Sequence, residues 1–158
     1  MDILRRADIE VTAAGLISTM VEGSHKVRII ADKKLSEVKT ADYDAIILPG
    51  GKGYRNLLNS KTVLDMIREF DKKGKLVAAI CAAPTVLAKA GILEKRIATV
   101  FPGLEKHIPR PRDAKVIVDG NVVTSRSPGT AMLFALKLVE MLAGRAASKK
   151  VRESLAME

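Results

Sequence analysis

Residues 75 to 91, KLVAAICAAPTVLAKAG, place the only cysteine of the chain between a short apolar run and a helical pattern. The run from Lys75 to Ile80 predicts a buried strand. Pro84 follows soon after the cysteine, and the apolar residues beyond it recur at helical spacing until Gly91 ends the pattern as a C-cap. Cys81 is therefore predicted to lie where a strand turns sharply into a helix.

Such a turn has the geometry of a nucleophile elbow, in which a reactive side chain stands clear of the backbone at the carboxyl edge of a sheet. Ala79, Ala82 and Ala83 are small, as a turn this tight requires. Free backbone N–H groups and the positive end of the helix dipole would lie beside the sulfur, and both favour the thiolate. The alternative interpretation is that Cys81 is a small apolar core residue, as most lone cysteines are.

Short apolar runs alternate with helical patterns along the rest of the chain, which favours an α/β sandwich with helices on both faces of a parallel sheet. The predicted strands are residues 9–14, 45–48, 97–100, 115–118 and 121–124, and the predicted helices are residues 2–8, 62–73, 130–142 and a basic tail from 145 to 158. Gly50-Gly51, Cys81 and the loop 125–129 would then meet at the carboxyl edge of the sheet. Their convergence strengthens the prediction of a reactive cysteine.

The length of 158 residues predicts one domain, and a single cysteine excludes an internal disulfide and fits a reducing compartment. The sequence shows no membrane span and no signal peptide, so we expect a soluble cytoplasmic protein. No His, Cys, Asp and Glu cluster has metal-ligand spacing. Residues 50–53, GGKG, complete neither a dinucleotide fingerprint nor a P-loop. We therefore expect no cofactor.

The net charge of +9 raises the possibility of nucleic-acid binding. The lysines and arginines are scattered, however, and aromatic residues make up only 3% of the chain, with no tryptophan. A platform for stacking bases is therefore not expected. We interpret the positive charge as solvated basic faces and predict no specific nucleic-acid partner.

Three motifs, Leu48-Pro-Gly-Gly51, Ala79-Ile-Cys-Ala-Ala-Pro84 and Thr124-Ser-Arg-Ser-Pro-Gly-Thr130, occur in this order across the chain. In order and spacing they resemble the ThiJ/PfpI superfamily, in particular its Parkinsonism-associated deglycase branch. The resemblance implies one domain over residues 1–158 with a flavodoxin-like, class I glutamine amidotransferase-like three-layer sandwich and a mostly parallel central sheet. It also implies a homodimer.

By the same resemblance, Cys81 is the nucleophile, and Gly51 and Ala82 supply backbone N–H groups around its sulfur. Gly50, Pro128, Arg126 and Phe101 would line the pocket. The implied activity is glyoxalase or deglycase chemistry on small reactive aldehydes or glycated protein adducts. The alternative is a redox-sensing or chaperone-like stress protein that uses the same cysteine without turnover. A cysteine peptidase is disfavoured, because the protease-like branch carries a histidine where this chain has Ala82.

The chain departs from the family pattern at two places. Family members begin with a strand and a glutamate that hydrogen-bonds the cysteine, and this chain starts within the following helix. We therefore expect either residues upstream of Met1 or another element, such as a partner chain, in that position. Phe101 stands where some relatives carry a histidine. The two histidines of the chain, His25 and His107, are predicted to be exposed, with His25 possible at a subunit contact.

Overall fold

The computed structural model describes residues 1–157, and within them helices and strands alternate as the apolar pattern predicts. The five helices are α1 (Asp2–Arg5), α2 (Tyr54–Leu58), α3 (Lys61–Lys72), α4 (Pro84–Lys89) and α5 (Ala131–Ser154). The eight strands are β1 (Ala14–Gly15), β2 (Met20–Glu22), β3 (Arg28–Ile30), β4 (Lys33–Lys34), β5 (Ala45–Leu48), β6 (Leu76–Ile80), β7 (Val116–Asp119) and β8 (Val122–Ser125).

The main sheet has four strands in the order β5-β6-β8-β7. β5, β6 and β8 run parallel, while β7 pairs antiparallel with β8 across the turn at Asp119-Gly120. Leu48 lies opposite Ala79, and Ile80 lies opposite Ser125. This register brings the chain immediately after β5, β6 and β8 to one edge of the sheet.

Strand β6 divides its side chains between two apolar clusters because successive residues of a strand point to opposite faces. Val77 and Ala79 pack with buried residues of α3 and α4, whereas Leu76 and Ala78 pack with those of α1 and α5. Helices therefore cover both faces of the sheet. The predicted three-layer α/β sandwich with a mostly parallel sheet is confirmed.

Helix boundaries follow local signals in the sequence. Ser60 caps α3, and its Oγ accepts a hydrogen bond from the N–H of Val63 at 3.3 Å. Gly91, with φ +83°, follows the C-cap of α4 as predicted. Gly144 has φ +89° and ψ 167°, so it kinks α5 where the apolar helix and the basic tail were predicted to separate.

Two predicted strands are wrong in extent. Of residues 9–14 only the last belongs to a strand, in which Ala14 and Gly15 pair with Lys33 and Lys34. Residues 97–100 contain only an isolated bridge from Ala98 to Pro111. Both segments have strand-like composition, but a ladder also needs a neighbouring chain at hydrogen-bonding distance, and apolar pattern alone does not report that.

The edge strand β5 has a sheet neighbour on one side only among residues 1–157. Ile9 and Val11 pack against the same apolar cluster as Ala45 without joining the sheet, and Ile47 is 36% exposed. A parallel strand as apolar as this one is usually covered on both faces and paired on both edges. The edge of β5 that faces away from β6 is thus without a paired strand among the described residues.

Candidate active site

Cys81 lies directly after β6 in a left-handed backbone conformation, with φ +66°. Its N–H donates to the carbonyl of Ser125 at 2.8 Å, and its own carbonyl accepts from the N–H of Phe101 at 2.8 Å. A non-glycine residue at positive φ is strained and persists only when its surroundings hold it. The two hydrogen bonds fix this turn to β8 on one side and to the segment at residue 101 on the other.

Gly50 makes the closest approach to the cysteine. A Cβ built on Gly50 would lie 2.7 Å from the Cβ of Cys81, 2.9 Å from the carbonyl oxygen of Ile80 and 3.2 Å from Sγ. Any side chain at residue 50 would collide with the elbow. Glycine is therefore required here for packing, and this requirement explains why the Leu48–Gly51 motif has a glycine at residue 50.

Gly51, with φ +77°, continues the loop past the cysteine. Its N–H group and that of Ala82 have no hydrogen-bond acceptor within residues 1–157. The elbow was expected to present several free N–H groups, yet those of Cys81, Ala83, Thr85 and Val86 all have backbone acceptors. In the described part of the elbow, Ala82 is thus the residue whose N–H stays available next to the sulfur.

Phe101 and Arg126 belong to the two segments that are hydrogen-bonded to the backbone of Cys81. The backbone of Phe101 contacts Cys81 directly, as described above, and its side chain is 41% exposed. Arg126 follows Ser125, and its guanidinium pairs with the carboxylate of Asp113 at 2.8 Å. Pro128 begins a 3-10 turn, Pro128–Thr130, three residues after Ser125.

A carboxylate lies in the loop that follows Phe101. Hydrogen bonds from its own backbone N–H and from that of Gly103 hold the pKa of Glu105 below its ordinary value, and the positive charge of Arg126 adds to this effect. The Gly103 N–H donates to Oε2 at 2.8 Å. Glu105 is therefore ionised near neutral pH, close to the segments that frame the cysteine.

Three hydroxyl groups add to the site: that of Ser24, which the sequence did not indicate, and those of Ser125 and Thr130, which belong to the third motif but had no assigned role. The hydroxyl of Ser24 accepts from the N–H of Lys52 at 3.4 Å and lies 3.9 Å from the Cβ position of Gly51. The hydroxyls of Ser125 and Thr130 lie 2.7 Å apart and tie the end of β8 to the loop after it. The turn at Ser24 is 27 residues from Gly51 in the chain, so no local pattern could connect them.

Both histidines are exposed, as predicted. His107 lines a cavity of about 530 Å³ between α2, α4 and the loop at residues 106–109, together with Tyr54 and Thr85. A second cavity of about 450 Å³ lies between β7 and α5. Cys81 lines neither of these two cavities.

Residues 1–157 contain no group of three or more His, Cys, Asp and Glu side chains that could hold a metal ion. None of the helices described within those residues has the length and apolar character needed to cross a bilayer.

Comparison with solved structures shows the same fold in proteins of known name. The chain superposes on the crystal structure of Drosophila melanogaster DJ-1beta with a TM-score of 0.94 and 41% identity, over 99% of this chain and 88% of that one. It matches Toxoplasma gondii DJ-1, solved in an oxidized form, with a TM-score of 0.94 and 35% identity over the same shares of the two chains.

Sequence comparison gives the same relatives. The chain is 41% identical to Drosophila melanogaster protein dj-1beta over 98% of its length and 86% of the relative. It is 36% identical to the glutathione-independent glyoxalase DJR-1.2 of Caenorhabditis elegans, over 90% of this chain and 78% of the relative. Residues 1–141 match the profile described as the DJ-1/PfpI family. The predicted resemblance is confirmed, and the chain belongs to the DJ-1/PfpI family.

Proposed function

We propose that the chain is a cysteine-dependent enzyme of glyoxalase or deglycase type, acting on small reactive aldehydes or on the adducts they form with proteins. The observation that supports this most is the position of Cys81 at a strained elbow, where it is partly exposed. The N–H of Ala82, which follows it, and the N–H of Gly51, in the loop that packs on it, have no acceptor within residues 1–157. A related protein from Caenorhabditis elegans is named as a glutathione-independent glyoxalase.

In the proposed first step, the Cys81 thiolate attacks the aldehyde carbon of a 2-oxoaldehyde such as methylglyoxal. The new carbon–sulfur bond forms as the π electrons of the carbonyl move to oxygen. The N–H groups of Gly51 and Ala82 would donate hydrogen bonds to that oxyanion. Protonation of the oxygen gives a hemithioacetal.

A proton must then move from the former aldehyde carbon to the adjacent carbon, which converts the hemithioacetal into a thioester. Water hydrolyses the thioester to a 2-hydroxy acid and regenerates the thiolate, so the net change is addition of one water and needs no oxidant. No side chain of residues 1–157 is hydrogen-bonded to the sulfur of Cys81. We therefore expect the proton transfer to limit the rate.

The test is lactate formation from methylglyoxal by the wild-type chain, the Cys81→Ser variant and the Cys81→Ala variant. We expect lactate from the wild type and none above the uncatalysed rate from either variant. Intact mass spectrometry on the same samples would show the hemithioacetal adduct, which adds the mass of one methylglyoxal. Absence of both lactate and adduct from the wild type would overturn the proposal.

A second candidate function uses the same thiol without turnover, as a redox sensor or chaperone-like stress protein. It is supported by the partial exposure of Cys81 and by the solved relative from Toxoplasma gondii, which is described as oxidized. Peroxide would oxidise the thiolate to sulfenate and then to sulfinate. An adduct without lactate, together with a gain of two oxygens at Cys81 under mild peroxide, would favour this candidate.

We also propose that the chain forms a homodimer in the cytoplasm. The hairpin formed by β2, β3 and the turn between them, residues 20–30, exposes Met20, Val27 and Ile30. An exposed apolar surface of this kind is typical of a contact with another chain. Analytical ultracentrifugation of the wild type and of an Ile30→Lys variant tests this, with a shift toward monomer expected for the variant, and cell fractionation tests the compartment.

A further inference from the structure

Phe101 presents an unusual combination of position and exposure. Its backbone N–H donates to the carbonyl of Cys81 at 2.8 Å, so the backbone of Phe101 is in direct contact with the reactive turn. Its ring is 41% exposed and belongs to neither of the apolar clusters that cover the sheet. An aromatic ring left outside the core beside a thiol is available to contact a ligand.

The contacts of the segment before Phe101 fix the position of this residue. Ala98 and Val100 are buried in the cluster that contains α3 and α4. Thr99 between them turns the other way, where its N–H donates to the hydroxyl of Thr124 at 3.0 Å and its hydroxyl donates to the carbonyl of Ala114. Phe101 follows two residues later, and its N–H bond to the carbonyl of Cys81 places it at the carboxyl edge of the sheet.

The other surfaces beside the sulfur offer little that would select a substrate. Gly50 and Gly51 have no side chains, and Ala82 contributes only a methyl group that is 7% exposed. The guanidinium of Arg126 is engaged by Asp113 at 2.8 Å. Of the pocket residues expected from the resemblance, that leaves the exposed ring of Pro128 and the larger aromatic ring of Phe101, and Phe101 offers the greater apolar area to the substituent of an aldehyde.

On this basis, and resting on the proposed function, we propose that Phe101 makes the Cys81 site selective for 2-oxoaldehydes that carry an aromatic or large apolar substituent, such as phenylglyoxal, over methylglyoxal. When the aldehyde carbon is bonded to sulfur, its substituent leaves the site beside the ring. Burial of apolar area and ring–ring contact both favour a phenyl group over a methyl group there.

The expected effect is a change in a ratio of rates. We define the ratio as the rate constant for adduct formation with phenylglyoxal divided by the rate constant with methylglyoxal. The same ratio measured for N-acetylcysteine corrects for the intrinsic reactivity of the two aldehydes. We expect the protein to raise this ratio about tenfold, as one apolar pocket contact commonly does. The Phe101→Ala variant should return the ratio to that of N-acetylcysteine.

The experiment measures hemithioacetal formation by rapid-mixing mass spectrometry, so it does not require turnover. Val118→Ala is the control, because Val118 is 42% exposed and lies on β7 away from the cysteine. Phe101→Leu keeps an apolar side chain without the ring and should give an intermediate ratio. Circular dichroism of each variant shows whether it is folded.

The outcomes separate this inference from the proposed function. No adduct with either aldehyde would refute the proposed function itself. Adducts with both aldehydes and the same ratio in the wild type, Phe101→Ala and N-acetylcysteine would overturn the role of Phe101 while leaving the proposed function in place. A ratio that falls in Phe101→Ala and not in Val118→Ala supports the inference.

Discussion

The elbow, residues 76–87, and the hairpin, residues 20–30, use apolar residues in opposite ways. Val77, Ala79 and Leu87 of the elbow are completely buried. Both strands of the hairpin are exposed along their whole length, and Ile30 is 78% exposed. The elbow is therefore held by packing from both faces of the sheet, whereas the hairpin within one chain is held by its own ladder and by few contacts.

This difference shows that apolar composition alone does not locate the core. The hairpin residues Val27 to Ile30 are as strand-like as those of the elbow, yet no helix covers them within residues 1–157. Strand β6 of the elbow packs on α3 and α4 with one face and on α5 with the other. A strained residue such as Cys81 can persist in the covered region because its surroundings over-determine its conformation.

The largest expected effect contrasts one residue of each region. Leu87→Ala removes a fully buried side chain and leaves a cavity, so the free energy of unfolding should fall by about 2–5 kcal/mol. Ile30→Ala removes an exposed one and should cost less than about 0.5 kcal/mol at concentrations where the chain is monomeric. Urea unfolding measures both, and equal losses would contradict the contrast.

A smaller effect is expected from a glycine in the loop that packs on the elbow. Gly50→Ala places a Cβ 2.7 Å from that of Cys81, so the loop or the elbow must shift. We expect a loss of about 1–3 kcal/mol in unfolding free energy. Gly53→Ala is the matched control, because nothing lies within 4 Å of its Cβ position and its φ is −63°. Gly53→Ala should be neutral or slightly stabilising, because alanine adopts this φ and restricts the unfolded chain. Similar losses in both variants would therefore contradict the collision at Gly50.

The hydrogen bond that closes the elbow should contribute less again. The hydroxyl of Thr85 donates to the carbonyl of Ala82 at 2.7 Å in a buried position. Thr85→Val keeps the shape and removes the donor, which should lower the unfolding free energy by about 1 kcal/mol. Thr62→Val, at an exposed position in the first turn of α3, is the control. A neutral result at residue 85 would mean that the N–H of Thr85, which donates to the same carbonyl at 3.2 Å, is sufficient by itself.

The smallest effect concerns Glu69, a carboxylate on α3 that is hydrogen-bonded to Thr40. Hydrogen bonds from Lys73 and Thr40, each 2.6 Å long, lower the pKa of Glu69 below its ordinary value of 4.5. A depressed pKa gives stability that is present above the ordinary value and is lost as the pH falls through the folded one. The deficit of Glu69→Gln relative to the wild type should therefore shrink as the pH falls below about 4.

Thermal unfolding over a series of pH values measures this deficit. Lys73→Met removes the partner of the same ion pair, so its deficit should follow the same pH dependence. The double variant should cost less than the sum of the two single variants, since the residues share one interaction. A deficit that does not change with pH would show that the pKa of Glu69 plays no part in it.

The elbow could be predicted in detail because its signals are local. The apolar run, the lone cysteine, Pro84 and Gly91 all lie within 17 residues, and each constrains the backbone by its own chemistry. The cap at Ser60 and the break at Gly144 are local in the same sense. These features depend on backbone preferences and capping, which act over a few residues.

The tertiary structure alone decided which distant groups meet. Residues 97–100 look like a strand, but they become the segment that brings Phe101 to Cys81. Ser24 reaches the glycine loop from the tip of the hairpin. Contacts of this kind depend on where whole layers pack, and many sequences with the same apolar pattern would place them elsewhere.

The α/β class and the elbow at Cys81 could thus be predicted from the sequence, because apolar period and turn chemistry act locally, and the family was indicated by the resemblance of three motifs. The packing of distant segments set three further features: a side chain at residue 50 would collide with the elbow, the N–H of Ala82 has no acceptor within residues 1–157, and the exposed Phe101 is hydrogen-bonded through its backbone to Cys81. Each of these depends on distances between segments far apart in the chain, and those distances are set by the packing of helices on both faces of the sheet.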